Sequence, residues 1–307
     1  MPNQTPEESC DNGTEPFDFA QQSVAPGVTY EVPFDGVLTS WSTRAANLPN
    51  QRLTMKLVRP FESGYLVLAH DGAKALVPGQ LNTFRTLIPV HEGELLALNS
   101  SGGPTACIFF SEEPGDVISF NNIGDTPDGQ RWQPENDLGE FLLNISATIL
   151  PPPRIRAISV TQGSVAGGTP VVVAGENFAE VRSVAFSGIP VSFTVASEGQ
   201  LTAVAPPNTA LTSRTIEVTT VAGRANAPQT FNYIGCAVPN LRKATLKEAK
   251  SELQSAGCAL GKVKRLKKAS LKKGKVTRQS PAAGAILPPG TQVSVSLKGK
   301  PQKKRKK

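Results

Sequence analysis

Alternation with a period of two residues governs much of this 307-residue chain. From Gln51 to Arg59, Leu53, Met55 and Leu57 alternate with Arg52, Thr54 and Lys56; farther on, Leu143, Ile145, Ala147 and Ile149 alternate with Asn144, Ser146 and Thr148. Such a pattern puts successive side chains on opposite faces of a strand, so it predicts half-buried sheet rather than helix. Val37–Trp41, Tyr65–Ala69, Phe84–Val90, Leu95–Leu98 and Thr105–Phe110 are further strand candidates, separated by turn chemistry such as Asp71-Gly72, Glu92-Gly93 and Ser101-Gly102-Gly103. About eight strands without a convincing helix predict an antiparallel, jelly-roll-like β-sandwich over residues 1–150. With 27 glycines, 26 prolines and only 6% aromatics, the whole chain reads as mainly β and multidomain.

Charge divides the chain further. Residues 1–150 hold 7 basic and 19 acidic residues, residues 151–234 hold 5 and 4, and residues 235–307 hold 20 and 2. Modules with such different charge face different partners. Pro151-Pro152-Pro153 marks the first boundary and Tyr233-Ile234-Gly235 the second. The expected domains are therefore residues 1–150, 154–233 and 235–299, with a disordered basic tail over 300–307.

Several classes are set aside at once. No run approaches 18 apolar residues, so no membrane-spanning helix is expected. The stretch MPNQTPEESC has neither a basic n-region nor an apolar h-region, so no signal peptide is expected in the sequence as given. Only His70 and His91 are histidines, and no two of the four cysteines form a C-x-x-C pair, which argues against His- or Cys-rich metal clusters and dithiol redox chemistry.

The acidic module resembles the β-sandwiches of secreted bacterial proteins, some of which bind carbohydrate. Its segment Asp116–Glu140 reads as a loop rich in carboxylates, where Asp125 and Asp128 are calcium candidates. Asp125-Thr126-Pro127-Asp128-Gly129 lacks the EF-hand spacing, and the plainer reading is a solvated acidic loop. Trp41 alternates with strand residues and belongs to the core, whereas Trp132, beside Arg131 in a polar stretch, is the candidate sugar platform.

In the middle module, Val171-Val172-Val173 follows the Gly167-Gly168-Thr169 turn, and Gly175-Glu176-Asn177-Phe178 returns an aromatic to the core. Val184 and Phe186 start another strand; Ile216 and Val218 lead to the Val221-Ala222-Gly223 corner; Phe231 and Tyr233 close the last. Short strands at this spacing make an immunoglobulin-like sandwich. The order of these motifs over residues 154–233 resembles the IPT/TIG family, which implies a spacer. Its five arginines, Arg154, Arg156, Arg182, Arg214 and Arg224, are scattered and leave no phosphate footprint.

In the third module, Val238-Pro239-Asn240-Leu241 opens a short strand, and Thr245-Leu246-Lys247-Glu248 has capping-box form. Leu246, Ala249, Leu253 and Ala256 give one helix its apolar face, and Gly257 sits where a terminating glycine belongs. Leu260-Gly261-Lys262-Val263 and the alternating Val293, Val295 and Leu297 complete a small α+β unit. This order resembles a PASTA domain from Cys236 to Gly299, with Asn240 where an acid is common. The resemblance implies an extracellular bacterial setting and either peptidoglycan binding or a spacer role.

Cys236 and Cys258 bracket the strand–helix unit, so a disulfide there is expected, and Cys10 with Cys107 would form the remaining pair. These modules and the even cysteine count favour an oxidising, extracellular or cell-wall location, with the start of the chain truncated or misassigned. Lys262, Lys264, Arg265, Lys267, Lys268, Lys272, Lys273 and Lys275, with Lys303, Lys304, Arg305, Lys306 and Lys307, form a polyanion-binding candidate. No aromatic follows Tyr233, so specific nucleic-acid binding by base stacking is not expected. No catalytic motif is evident and no cofactor is expected. The sequence reads as a non-enzymatic bacterial envelope or secreted binding protein whose partner is peptidoglycan or an anionic wall polymer. The alternatives are a carbohydrate-active enzyme or glycan binder using the first sandwich, and a nucleic-acid binder using the basic end.

Overall fold

The computed structural model describes residues 5–6, 8–10, 16–24, 26, 29–100, 105–122, 124–266 and 269–299. The chain divides at Pro152–Pro153 into two compact units, the first of which also takes in Val221–Gly223. Strands dominate both, and Leu246–Ser255 is the one α-helix among the described residues.

The first unit is wholly antiparallel in its pairings. A seven-stranded sheet runs in the order Arg131–Trp132, Gly64–Ala75, Arg52–Phe61, Leu95–Ser100, Phe17–Ser23, Val117–Asn121, Asn136–Gly139. Two three-stranded sheets accompany it, one ordered Ser146–Leu150, Gly36–Arg44, Leu81–Val90 and the other Glu8–Ser9, Ala106–Phe110, Phe141–Leu143. Leu38, Trp41, Leu53, Met55, Leu57, Leu98, Phe19 and Ile118 meet in a common core. Trp41 is fully buried, as its strand position predicted, and its indole donates to Asp71 Oδ2 at 2.7 Å. Cys10 and Cys107 are bonded within this core, with Cα atoms 5.6 Å apart.

Four expectations for this unit are corrected. The alternation of Arg52–Phe61 predicts one wet face, yet Thr54, Lys56 and Val58 are buried as fully as Leu53, Met55 and Leu57. The second face of the seven-stranded sheet carries its own apolar cluster, Ala20, Val58, Tyr65, Val67, Ala97 and Trp132. Asp71-Gly72 is not a turn but lies inside the long strand Gly64–Ala75, where Asp71 pairs with Met55. The run Leu143–Ile149 is two strands, because Phe141–Leu143 pairs with Ala106–Phe110 and Ser146–Leu150 pairs with Gly36–Arg44. Finally, the segment Asp116–Glu140 is not a bare loop: Val117–Asn121, Arg131–Trp132 and Asn136–Gly139 are all sheet.

In the second unit, residues 154–234 form two facing sheets. One is ordered Arg154–Ile158, Pro170–Glu176, Gln200–Val204, Phe193–Ser197; the other Gln162–Ser164, Gly223–Ile234, Ser213–Thr220, Val181–Phe186, Ile189–Val191. The β-branched run supplies Val171 and Val173, which pack with Phe178, Phe186, Leu201, Ile216, Val218 and Phe231. Gly167 has φ +76°, and a Cβ there would lie 2.5 Å from Pro207 N, so the turn before that run requires glycine.

The C-terminal part is the small α+β arrangement expected. Thr245 caps the helix and forms the reciprocal capping box with Glu248. Ala249 and Leu253 bury the helix against Val276, Val293, Val295 and Leu297. Gly257, at φ +73°, follows the helix, where a Cβ would meet Gly235 O at 2.5 Å. Cys236 and Cys258 are bonded, with Cα atoms 4.7 Å apart. The opening strand lies at Cys236–Ala237, paired with Ile286–Leu287, rather than at Val238–Leu241. Pro239 has no N–H to give a ladder, and Gln279 takes the neighbour's place: it accepts from Leu241 N at 2.9 Å and donates to Pro239 O at 2.8 Å.

Candidate functional site

The C-terminal three-stranded sheet is ordered Ala259–Arg265, Gln292–Lys298, Lys275–Ser280. Its inner face is apolar because Val293, Val295 and Leu297 point at the helix. Alternation then sets Ser294, Ser296 and Lys298 on the outer face. Ser296 stands level with Lys264 on one neighbouring strand and with Arg278 on the other, while Lys298 is paired with Lys275. The Lys262 amide donates to Ser294 Oγ at 3.2 Å. The outcome is a floor of two serine hydroxyls continued by Lys298 on the central strand, with Lys262 and Lys264 along one side and Lys275 and Arg278 along the other, all five cations exposed.

Among the described residues only Lys275 of these cations meets a carboxylate, Glu248 Oε2 at 3.7 Å. The Thr245 amide, donating to that Glu248 carboxylate, holds it below the usual carboxylate range, so it stays charged. A face with five cations, hydroxyl donors and no aromatic ring suits spaced anionic groups better than a stacking ligand. Arg278 also borders a cleft of about 230 Å³ lined by Asn240, Arg242, Thr277, Gln279 and Ala282.

The remaining predicted cations are placed differently. Arg265 turns its Nε to Ala269 O at 2.8 Å and closes a loop. Lys272 and Lys273 are exposed in a turn whose amides both meet Ser270 Oγ at 3.3 Å. Lys267, Lys268, Lys303, Lys304, Arg305, Lys306 and Lys307 lie outside the described residues. Reading the lysines as one run missed Arg278, Lys298 and the two serines; the alternation of KVTRQS and QVSVSLK is the signal that groups them.

The candidates in the first unit change character. Trp132 is 2% exposed and packs on Tyr65 with ring centroids 4.6 Å apart, so it is core and not a sugar platform. It lies on a short strand paired with Tyr65-Leu66, which turns the indole onto the sheet. Asp125 and Asp128 do not converge on a metal position: Asp125 pairs with Lys56 Nζ at 2.6 Å, and Asp128 with His70 Nδ1 at 2.8 Å. No group of three or more candidate ligands occurs among the described residues.

A cleft of about 620 Å³ opens nearby, lined by Gln22, Glu62, Phe61, Tyr65, Ser119 and Pro134 among others. At its floor the Ser119 hydroxyl lies 2.7 Å from Asp137 Oδ1 and 3.1 Å from Gln22 Oε1. Burial pushes the Tyr65 phenol above its usual range.

Comparison with known families places an IPT/TIG domain at residues 153–233 and a PASTA domain at residues 237–299. No curated protein sequence matches the chain. Among solved structures, an auxiliary nutrient binding protein from Bacteroides ovatus is 19% identical over 29% of this chain and 24% of its own, with a TM-score of 0.23. SGBP-B from a complex xyloglucan utilization locus in Bacteroides uniformis is 14% identical over 73% of this chain and 58% of its own, at 0.25. The plexin A4 extracellular region is 13% identical over 70% of this chain and 27% of its own, at 0.26. The chain thus spans less than two thirds of the length of each.

Proposed function

We propose that this chain is a non-enzymatic bacterial envelope or secreted binding protein whose C-terminal module holds an anionic cell-wall polymer on its outer sheet face. The observation that carries this reading is the grouping of Lys262, Lys264, Lys275, Arg278 and Lys298 around Ser294 and Ser296. A PASTA domain at that position supports a wall-directed role. The two disulfides fit an oxidising compartment. In this account the immunoglobulin-like module is a spacer that presents the first sandwich.

The test is retention of the full chain on purified wall, with and without its anionic polymer, for wild type and for K264E/R278E. Strong retention that needs both the polymer and the two cations supports the reading. Equal retention of wild type and variant on the complete wall contradicts it.

A second reading rests on the cleft of the first unit, where Tyr65, Ser119 and Gln22 offer hydroxyl and amide groups beside Phe61 and Pro60. That mixture suits an uncharged polyhydroxylated ligand such as a neutral glycan. Glycan binding abolished by Ser119→Ala, with wall retention intact, would support it.

A further inference from the structure

Lys56 takes no part in either site, yet it is the most unusual residue in the first unit. It is 1% exposed in the middle of the strand Arg52–Phe61. Its Nζ lies 2.5 Å from Asp18 Oδ1, 2.6 Å from Asp125 Oδ1 and 2.8 Å from the Thr126 carbonyl. Asp18 is also 1% exposed, and both of its oxygens are held: Asn99 Nδ2 donates to Oδ1 at 2.8 Å and Thr126 N to Oδ2 at 3.0 Å.

The sheet brings these groups together. Lys56 and Asp18 stand on strands separated only by Leu95–Ser100. Ala97 is directly opposite Lys56, and Ala20 is opposite Ala97, so only methyl groups occupy the row between the amine's base and the next strand. Ala20, Val58, Val67, Ala97 and Trp132 form the apolar cluster of this face. Two opposite charges held out of water carry a desolvation penalty that contact alone repays poorly. Condensing them into a neutral amide removes both charges.

We propose that Lys56 and Asp18 are joined by an intramolecular amide cross-link formed after folding, with Asp125 as the proton relay. The Lys56 ammonium passes a proton by way of Asp125 to an Asp18 oxygen, which makes that carboxyl electrophilic, and the freed lone pair attacks Asp18 Cγ, forming the N–C bond. Asn99 Nδ2 and Thr126 N hold the two Asp18 oxygens while negative charge gathers on them. One Cγ–O bond then breaks. Of the three ammonium protons, one stays on the amide nitrogen and two leave on the departing oxygen as water, passed on by Asp125, which ends as the carboxylate it began as. Nothing is oxidised or reduced, and no co-reactant is needed. The Asp125 side chain is 58% exposed, which gives the water a way out. The product is a covalent tie between two strands that are not neighbours, in the unit that also holds the Cys10–Cys107 bond, and it is indifferent to reducing agents.

The experiment is mass spectrometry of the full-length chain, folded, incubated at neutral pH, then denatured and fully reduced. The expected result is a mass one water below that of the reduced sequence, with a digest in which the peptides holding Asp18 and Lys56 are joined. D18N should form the same tie but lose ammonia in place of water. K56R should keep the full sequence mass. D125A, with its fold checked by circular dichroism, should show a much smaller cross-linked fraction at equal times. A wild-type chain that is folded yet keeps its full sequence mass overturns the proposal. Joined peptides that link Lys56 to Asp125 rather than Asp18 overturn it equally.

Discussion

Replacing Cys236 and Cys258 together by alanine isolates what the C-terminal disulfide contributes. Both residues are buried, in one cluster with Val238, Leu241, Ala249 and Leu253. The bond spans 22 residues of sequence and ties the short strand Cys236–Ala237 to the segment leaving the helix. Closing a loop of that length lowers the entropy of the unfolded module and stabilises the folded one by about 3 kcal/mol on the chain-entropy account. A module this small buries little core, so that term is a large share of its stability. Amide exchange in the intact chain reads it locally. Ala249 N donates to Thr245 O at 2.9 Å and Ala256 N to Glu252 O at 3.1 Å, and unfolding of the helix breaks both bonds. Their exchange should quicken by roughly a hundredfold in the double variant, the free energy above converted at tenfold per ~1.4 kcal/mol. Wild type held in reductant should match the variant. Helix amides that exchange within a few-fold of wild type, with both thiols absent, would refute the reasoning.

Other outcomes can be checked alongside. Thr245→Ala removes the helix cap and should cost about 1 kcal/mol in denaturant unfolding of the C-terminal module. Because the Glu248 carboxyl is held below its usual range, its contribution is present above the ordinary carboxylate pKa and should fade as pH drops through the lowered folded value, visible as a falling melting temperature in acid for wild type but less so for Glu248→Gln. Phe231 is fully buried and edge-on to Phe186 and Tyr233, so Phe231→Ala should destabilise the immunoglobulin-like module by about 3–5 kcal/mol by calorimetry. Burial raises the phenols of Tyr30, Tyr65 and Tyr233, so folding holds their protons and stability should fall as pH climbs past the ordinary tyrosine range; phenolate absorbance should therefore appear together with unfolding rather than before it.

What the sequence revealed was local in origin. Thr245 and Glu248 are three residues apart and announce the helix start without any knowledge of the fold. The disulfide partners were legible because Cys236 and Cys258 flank one strand–helix unit and leave Cys10 with Cys107. Lys56 was misplaced because a lysine in an alternating strand normally faces water; its burial depends on Asp18 and Asp125, which lie far away in sequence. Trp132 was misplaced for a related reason, since the two-residue strand that sets it against Tyr65 leaves no periodicity to read. The cations of the outer sheet face were half visible: charge density marked the segment, but Arg278 joins Lys264 only because both pair with the strand Gln292–Lys298, which itself carries Lys298.

The salt dependence of binding tests the central claim most directly. Affinity of the full chain for a purified anionic wall polymer would be measured across a range of salt concentrations, for wild type and for K262E/K264E/R278E. If exposed cations on the outer sheet face displace counterions from the polymer, log affinity falls steeply with log salt in wild type and much less steeply in the variant, whose low-salt affinity also drops. Equal slopes and equal low-salt affinities for the two proteins would show that this face does not carry the binding.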